Sequence, residues 1–247
     1  MSLSSLNHVK RVNGNRPPAP PQVVLCTFAV DRSGSMESYG SGVIEHTNKL
    51  IQEQKDFAVT SDIPTYMTLT TFDDIREDRM CKVKLNTGAI PKLNELKEWL
   101  KPRNCTRLLD TAMECVDSLI DFRREYVSRF SRETRGLIQN DNVKMIFAIF
   151  TDGFDNTSEF TAQDLNRKMK GFESEGGIAM FLAANQDAIN TGNQFGFSAD
   201  RSLTVGVTSK TASSALGCTS ALFRCASSGV QDVSYSDAMR EESQDTL

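Results

Sequence analysis

Oxygen-bearing side chains recur at three places in this 247-residue sequence. An Asp-x-Ser-x-Ser motif made by Asp31, Ser33 and Ser35 directly follows an apolar run, Thr106 precedes the longest helical pattern, and Asp152 follows a second apolar run. The set contains no imidazole and no thiolate, and oxygens alone suit a hard cation such as Mg²⁺ or Mn²⁺. If the three hydroxyls coordinate directly and the aspartates act partly through water, the ion keeps most of its positive charge. Such an ion favours an anionic oxygen in its open position.

The elements that must position these residues follow from the hydrophobic pattern. Residues 23–30 and 144–151 are apolar on both faces, as in parallel strands that helices cover on both sides. Strand and helix patterns alternate, which predicts an α/β fold with a Rossmann-like, open, mostly parallel sheet of about six strands and helices on both faces. Residues 79–85 alternate charged and apolar side chains and predict an antiparallel edge strand. With a strand order of 3-2-1-4-5-6, Asp31 and Asp152 would meet at the switch point, where such sheets bind ligands.

The three-part pattern resembles the metal-ion-dependent adhesion site of von Willebrand factor A (vWA) domains. The resemblance rests on the Asp-x-Ser-x-Ser motif, on Thr106 at the head of a helix and on Thr151-Asp152-Gly153, and it covers about residues 22–207. It implies a Mg²⁺ or Mn²⁺ ion at the top of a Rossmann-like sheet, coordinated in part by a Glu or Asp of a protein partner. It implies binding and not catalysis.

Two details refine this resemblance. Residues 181–188 are similar to a branch of stand-alone bacterial or phage-type members. The family often has Gly two residues before the threonine, where this chain has Asn104. Asn is among the residues that best tolerate positive φ, so the loop can keep its course.

Other functions remain open at this point. A Mg²⁺-dependent phosphatase of the haloacid dehalogenase type needs a second carboxylate two residues after its first aspartate, and this chain has Ser33 there. A serine hydrolase needs a base near its nucleophile, and the body of the chain offers only His46. A scaffold with a vestigial metal site is the third possibility, although all five motif positions are chemically intact. We therefore expect a binding module and not an enzyme.

Structural roles compete with functional ones for several of these residues. Asp31 or the two serines could cap the next helix. Asp155 and Asn156, which follow Asp152-Gly153, are expected to be turn residues, as is the pair Asp73-Asp74.

Charge argues against a nucleic-acid partner. The chain has 28 Lys and Arg against 32 Asp and Glu, a net charge of -4. Residues 231–247 hold five of the acids and one base and so carry the whole excess, which leaves the body neutral, unlike a protein that neutralises phosphates. No apolar run approaches the roughly 20 residues that span a bilayer, so no membrane association is expected.

The remaining features predict location and domain limits. The six cysteines show no zinc-site spacing, and the N-terminus lacks the apolar stretch of a secretory signal, so we expect reduced thiols and a cytoplasmic protein. Three parts are predicted: a polar, Pro-rich lead-in over 1–21, a vWA-like domain over 22–226 and an acidic flexible tail over 227–247.

Overall fold

One six-stranded sheet organises the chain. The computed structural model describes residues 22–138, 142–153, 155–184, 187–230 and 232–244; the predicted lead-in, residues 1–21, lies outside them. The strand order is β3-β2-β1-β4-β5-β6, and only β3 is antiparallel to its neighbour. The predicted α/β class, the strand order and the antiparallel edge are therefore confirmed. The strands are β1 Val23–Asp31, β2 Thr65–Phe72, β3 Arg76–Lys84, β4 Val143–Thr151, β5 Gly177–Ala184 and β6 Ser202–Val205.

Helices connect the strands and cover the sheet. The helices of the described residues are α1 Gly42–Ser61, α2 Leu93–Trp99, α3 Leu108–Ser128, α4 Arg132–Arg135, α5 Ala162–Ser174, α6 Ala188–Phe195, α7 Ser209–Ser227 and α8 Asp237–Glu242. Short 3-10 helices lie at Gly34–Tyr39 and Ala199–Arg201. Within these ranges, no helix combines the length and the apolar character that crossing a membrane requires.

The sheet is buried on both faces because successive side chains of a strand point to opposite sides. On β1, Val24 and Phe28 face the layer that contains α1 and α7, whereas Leu25 and Ala29 face the layer that contains α3 and α5. Two apolar clusters result, one on each side of the sheet. This double burial explains why β1 and β4 read as continuous apolar runs.

The C-terminal segment, residues 232–244, differs from the flexible tail expected for 227–247. It packs along β6, where the Gly206 N–H donates to the Ser243 carbonyl oxygen at 2.8 Å and the Ser243 hydroxyl donates to the Thr204 carbonyl oxygen at 2.9 Å. Val233 and Tyr235 are buried. Acidic residues in the sequence suggested solvation, but the apolar residues between them anchor the segment and cover the exposed edge of β6. Residues 245–247 lie outside the described residues.

Replacing Tyr235 by Ala tests this packing. The ring is buried, and its hydroxyl lies 2.8 Å from the Thr219 hydroxyl on α7. We expect Tyr235→Ala to lower the free energy of unfolding in urea by about 3 kcal/mol, the usual cost of removing a buried aromatic ring. Tyr235→Phe, which removes only the hydrogen bond, should cost about 1 kcal/mol. If Tyr235→Ala is as stable as the wild type, residues 232–244 do not pack on α7 in solution.

Candidate metal-binding site

The two aspartates of the predicted site lie at the same edge of the sheet. β1 pairs with β4 in parallel, with Val30 opposite Phe150. Asp31 therefore ends β1 beside the end of β4, and Asp152 is the next residue after β4. Both carboxylates are almost completely buried. The adjacency expected from the apolar runs is confirmed.

Asp31 is held by its neighbours in the loop and on β4. The Ser33 N–H donates to Asp31 Oδ1 at 2.7 Å, and the Thr151 hydroxyl donates to Asp31 Oδ2 at 2.6 Å. The first bond closes the tight turn that follows β1 and fixes where Ser33 lies. Each carboxylate oxygen thus has one donor, Ser33 from the loop after β1 and Thr151 from the end of β4.

Ser35 joins the first loop to Asp152. Its hydroxyl donates to Asp152 Oδ1 at 2.7 Å and lies 3.2 Å from the hydroxyl of Ser33. Ser35 is solvent-exposed, whereas Ser33 and Asp152 are buried, so the cluster opens to solvent on the side of Ser35. The other oxygen of Asp152, Oδ2, is buried and has no hydrogen-bond partner among the described residues. A buried carboxylate oxygen without a partner is costly, and a bound cation would remove that cost.

Thr106 completes the set from a third loop. A methyl group built on Gly153 would lie 3.1 Å from the Thr106 hydroxyl oxygen and 3.7 Å from that of Ser35, so both hydroxyls border one small space. The backbone of Thr106 is fixed because its N–H donates to Asn156 Oδ1 at 2.9 Å. Asn104, two residues earlier, has φ of 60°, the positive value that the family's Gly position implied. The structure thus brings all five predicted residues together.

The residues that hold the Thr106 loop were not predicted from the sequence. Asp155, expected to be a turn residue, accepts hydrogen bonds at Oδ1 from the N–H groups of Leu108 and Leu109, the first residues of α3. Asn156 likewise accepts a hydrogen bond from the Thr106 N–H through its side chain and donates its own N–H to the Thr106 carbonyl oxygen. A signal was present: Arg107 stands at the N-cap of α3 and makes no side-chain cap, so the free N–H groups of that helix need an acceptor from elsewhere.

The electrostatics of the site favour a cation. Burial raises the pKa of Asp31 to about 6; hydrogen bonds from Thr151 and Ser33 oppose this, and the negative charge of Asp152 adds to it. Burial also raises the pKa of Asp152, against the hydrogen bond from Ser35. Both carboxylates thus lack sufficient stabilisation of their charged forms, which a divalent cation would supply.

The donor set fits a hard divalent ion. It combines two carboxylates with three hydroxyls, all oxygens, the preferred ligands of Mg²⁺ and Mn²⁺. Nowhere in the described part of the chain do three or more His, Cys, Asp or Glu side chains gather into a metal-binding group. A metal at this site would therefore depend on the hydroxyls as well as on the two aspartates.

Solved structures with the same architecture identify the fold. The vWF domain of the type V pili tip protein Mfa5 from Porphyromonas gingivalis matches with a TM-score of 0.55 over 89% of this chain and 100% of that domain, at 8% identity. The chain has a vWA-like fold. The PilB minor pilin from Streptococcus sanguinis matches with a TM-score of 0.53 at 11% identity, and the pilus adhesin SpaC from Lactobacillus rhamnosus GG with 0.53 at 11%.

No protein-family model matches the chain, and no curated protein matches it. The structural matches cover 84% of this chain for PilB and 85% for SpaC, but the chain spans only 63% of the PilB structure and 31% of SpaC. The vWA-like fold is thus shared with single domains of larger proteins.

Proposed function

We propose that this chain is a metal-dependent protein-interaction module. A Mg²⁺ or Mn²⁺ ion would be held by five side chains: Asp31, Ser33, Ser35, Thr106 and Asp152. The observation that carries the proposal is the buried, unpartnered Oδ2 of Asp152 beside the hydroxyl of Ser35. In a vWA-like fold this position is where the family resemblance implies an ion.

The ion would serve as a bridge to a carboxylate of the partner. Three of the proposed ligands are neutral hydroxyls, which leave more positive charge on the ion than a cage of carboxylates would. With the aspartates acting partly through water, such an ion would stay electrophilic towards a Glu or Asp side chain. The open side, next to the exposed Ser35, is where such a group could approach.

Apolar side chains around this edge support a protein partner. The described residues include seven large hydrophobic side chains that are exposed, and four of them lie on connections that leave the carboxyl end of the sheet: Ile75, Phe160, Ile189 and Val207. Single exposed apolar residues are ordinary on protein surfaces, but these four share the edge of the sheet that carries the proposed site, where a protein partner could cover them.

The surroundings of His46, the only histidine in residues 22–226, favour binding over catalysis. His46 Nδ1 lies 2.9 Å from the Gly42 carbonyl oxygen, and Nε2 contacts the Ser213 hydroxyl. Both ring nitrogens are thus engaged between α1 and α7, so this histidine does not serve as a base for Ser33 or Ser35. The position two residues after Asp31 is a serine, which cannot act as the general acid of a phosphatase at neutral pH.

The proposal includes a cytoplasmic location. All six cysteines are free thiols, and Cys26 and Cys115 are buried. Free thiols in this number are typical of a reducing compartment.

Metal binding is tested by thermal unfolding. We expect the melting temperature to rise with Mg²⁺ or Mn²⁺ and to fall back in chelator, because an ion that binds only the folded state stabilises it by about 2.7 kcal/mol at a hundredfold excess over its Kd. Calorimetric titration should show Mg²⁺ and Mn²⁺ preferred over Zn²⁺, since all the ligands are oxygens. If the melting temperature is the same in millimolar Mg²⁺, in millimolar Mn²⁺ and in chelator, the proposal is contradicted.

Partner binding is tested by capture from a lysate of the native host. The wild-type chain and the Asp31→Asn variant are compared in Mg²⁺ and in chelator. A partner retained only by the wild type and only with Mg²⁺ supports the metal bridge, and replacing the contacting Glu of that partner by Gln should release it. Equal capture by the variant in chelator would assign the interaction to another surface.

A further inference from the structure

A group of charged side chains, two of them buried, lies beside the proposed metal site. We call it the Arg32 cluster, and it consists of Arg32, Asp73, Glu77, Arg79 and Arg103. Arg32 is the residue between Asp31 and Ser33, yet only 2% of its side chain is exposed. Asp73 is completely buried. A charged group of this kind is costly to bury unless its partners are well placed, which raises the question of what the cluster does.

Arg32 connects the first metal loop to two other segments. Its Nε forms an ion pair with Asp73 Oδ2 at 3.1 Å but makes no hydrogen bond within the described residues. One terminal nitrogen contacts Glu77, and the other donates to the Trp99 carbonyl oxygen at 3.2 Å. Asp73 begins the turn between β2 and β3, and Trp99 ends α2. One planar guanidinium group therefore joins three segments, a geometry that the single ammonium of Lys cannot reproduce.

The same cluster holds the loop that carries Thr106. Arg103 Nε donates to Asp73 Oδ2 at 2.5 Å, and the Arg103 N–H donates to the Arg32 carbonyl oxygen at 2.8 Å. On the other side of Thr106, the Arg107 N–H donates to the Asp73 carbonyl oxygen at 2.8 Å. Thr106 thus lies between two attachments, and both lead to Arg32 or to its partner Asp73.

We propose that Arg32 is a positioning residue for the metal site. By joining the first loop to the Thr106 loop through Asp73, it sets the hydroxyls of Ser33 and Ser35 relative to that of Thr106 before the ion binds. The inference rests on the proposed function, because it concerns the affinity of the same site. It adds a residue that contacts neither the ion nor the partner.

The direction of the effect separates positioning from charge. Arg32 is a cation close to a cation site, so through charge alone its removal would strengthen metal binding. If Arg32 acts by position, its removal weakens binding, as changes in the residues that orient metal ligands do. The two mechanisms thus predict changes of opposite sign.

The test is calorimetric titration of Mn²⁺ into the wild type and into Arg32→Met. We expect Mn²⁺ to bind about 10–100-fold more weakly to Arg32→Met, the range found for residues that orient metal ligands. Arg32→Lys, which keeps the charge but not the planar group, should recover only part of the affinity. Arg32→Met should fold, because Asp73 keeps its ion pair with Arg103, and Glu77 keeps its ion pairs with Arg79 and Arg103.

Two further variants keep the result interpretable. Arg201→Met removes a partly buried ion pair with Glu173, 2.8 Å apart, at the opposite edge of the sheet, and we expect it to lower stability without changing Mn²⁺ affinity. Arg103→Gln alters the half-exposed member of the Arg32 cluster, and we expect it to weaken Mn²⁺ binding several-fold. This variant can be measured even if Arg32→Met does not fold.

Each outcome has a distinct meaning. Affinity in folded Arg32→Met that equals or exceeds that of the wild type overturns the inference and leaves the proposed function standing. Equal losses of Mn²⁺ affinity in Arg32→Met and Arg201→Met also overturn it, because the loss would then result from lower stability of the whole fold. If Arg32→Met does not fold and Arg103→Gln binds Mn²⁺ as tightly as the wild type, the inference is wrong. Absence of Mn²⁺ binding by the wild type overturns the proposed function itself.

Discussion

Replacing Asp31 by Asn is expected to weaken Mn²⁺ binding by about 100-fold, the upper end of the range for residues that act behind the direct ligands, while the fold persists. Asn keeps the shape of Asp and one oxygen for the Ser33 N–H. The Thr151 hydroxyl can turn to accept from the new amide. The substitution thus removes a charge with little change in packing, and calorimetric titration of Mn²⁺ measures the effect.

The same variant should be at least as stable as the wild type in chelator. Burial raises the pKa of Asp31 to about 6 in the folded state, above its ordinary value of 3.8. The ionised carboxylate at pH 8 therefore opposes folding, and we expect Asp31→Asn to gain about 1–2 kcal/mol in the free energy of unfolding without metal. At a Mn²⁺ concentration that saturates the wild type, the wild type should be the more stable of the two, because it gains more binding energy.

Asp164→Asn provides the matched control. Asp164 closes the N-terminal cap of α5, where the Thr161 hydroxyl and N–H donate to it and lower its pKa. This substitution should lower the melting temperature slightly and leave Mn²⁺ affinity unchanged. If Asp31→Asn binds Mn²⁺ as well as Asp164→Asn does, Asp31 is not part of a metal site.

Much of the architecture could be predicted because the strongest signals in the sequence are hydrophobic runs. The runs that become β1 and β4 are apolar on both faces, as a central strand of a covered sheet requires. Their ends then placed Asp31 and Asp152 at one edge. Thr106 was predictable for a related reason, since a long amphipathic pattern shows where α3 starts. That these residues hold a metal stays a prediction.

Features that depend on contacts between distant segments could not be predicted in the same way. Helix α6, Ala188–Phe195, is short; it is capped by Asp187 and ends at Gly196, where φ is 89°. Residues 232–244 looked like a solvated tail because they hold four acids and a single base, yet the buried side chains of Val233 and Tyr235 anchor them. In both cases local propensity is weak, and packing against the sheet determines the structure.

The Arg32 cluster shows the same limit at the site. Asp73 was expected to be a turn residue, and its Oδ1 does accept a hydrogen bond from the Ile75 N–H. Its other oxygen is where Arg32 and Arg103 meet, although these residues are 41 and 30 positions away in sequence. Nothing in the local pattern reveals that meeting, because it depends on the side-by-side placement of β1 and β2.

Replacing Gly153 by Ala is expected to weaken Mn²⁺ binding by at least about tenfold, as a misplaced ligand shell does. The added methyl group would lie 3.1 Å from the Thr106 hydroxyl oxygen and 3.7 Å from that of Ser35, and so would enter the space that these hydroxyls border. The backbone of Gly153 is not in the positive-φ region, so Ala adds no backbone strain. Stability in chelator should therefore change little, and Mn²⁺ titration together with thermal unfolding separates the two effects.

Gly171→Ala is the control that makes the result specific. Gly171 lies within α5, where an added methyl group meets nothing within 4 Å, so Ala there should raise stability by about 0.5–1 kcal/mol and leave Mn²⁺ affinity unchanged. Gly153→Val, with a larger side chain in the same space, should bind Mn²⁺ more weakly still. Wild-type affinity in both Gly153 variants would show that the ion does not bind between Thr106 and Ser35, because a side chain and an ion cannot share that space.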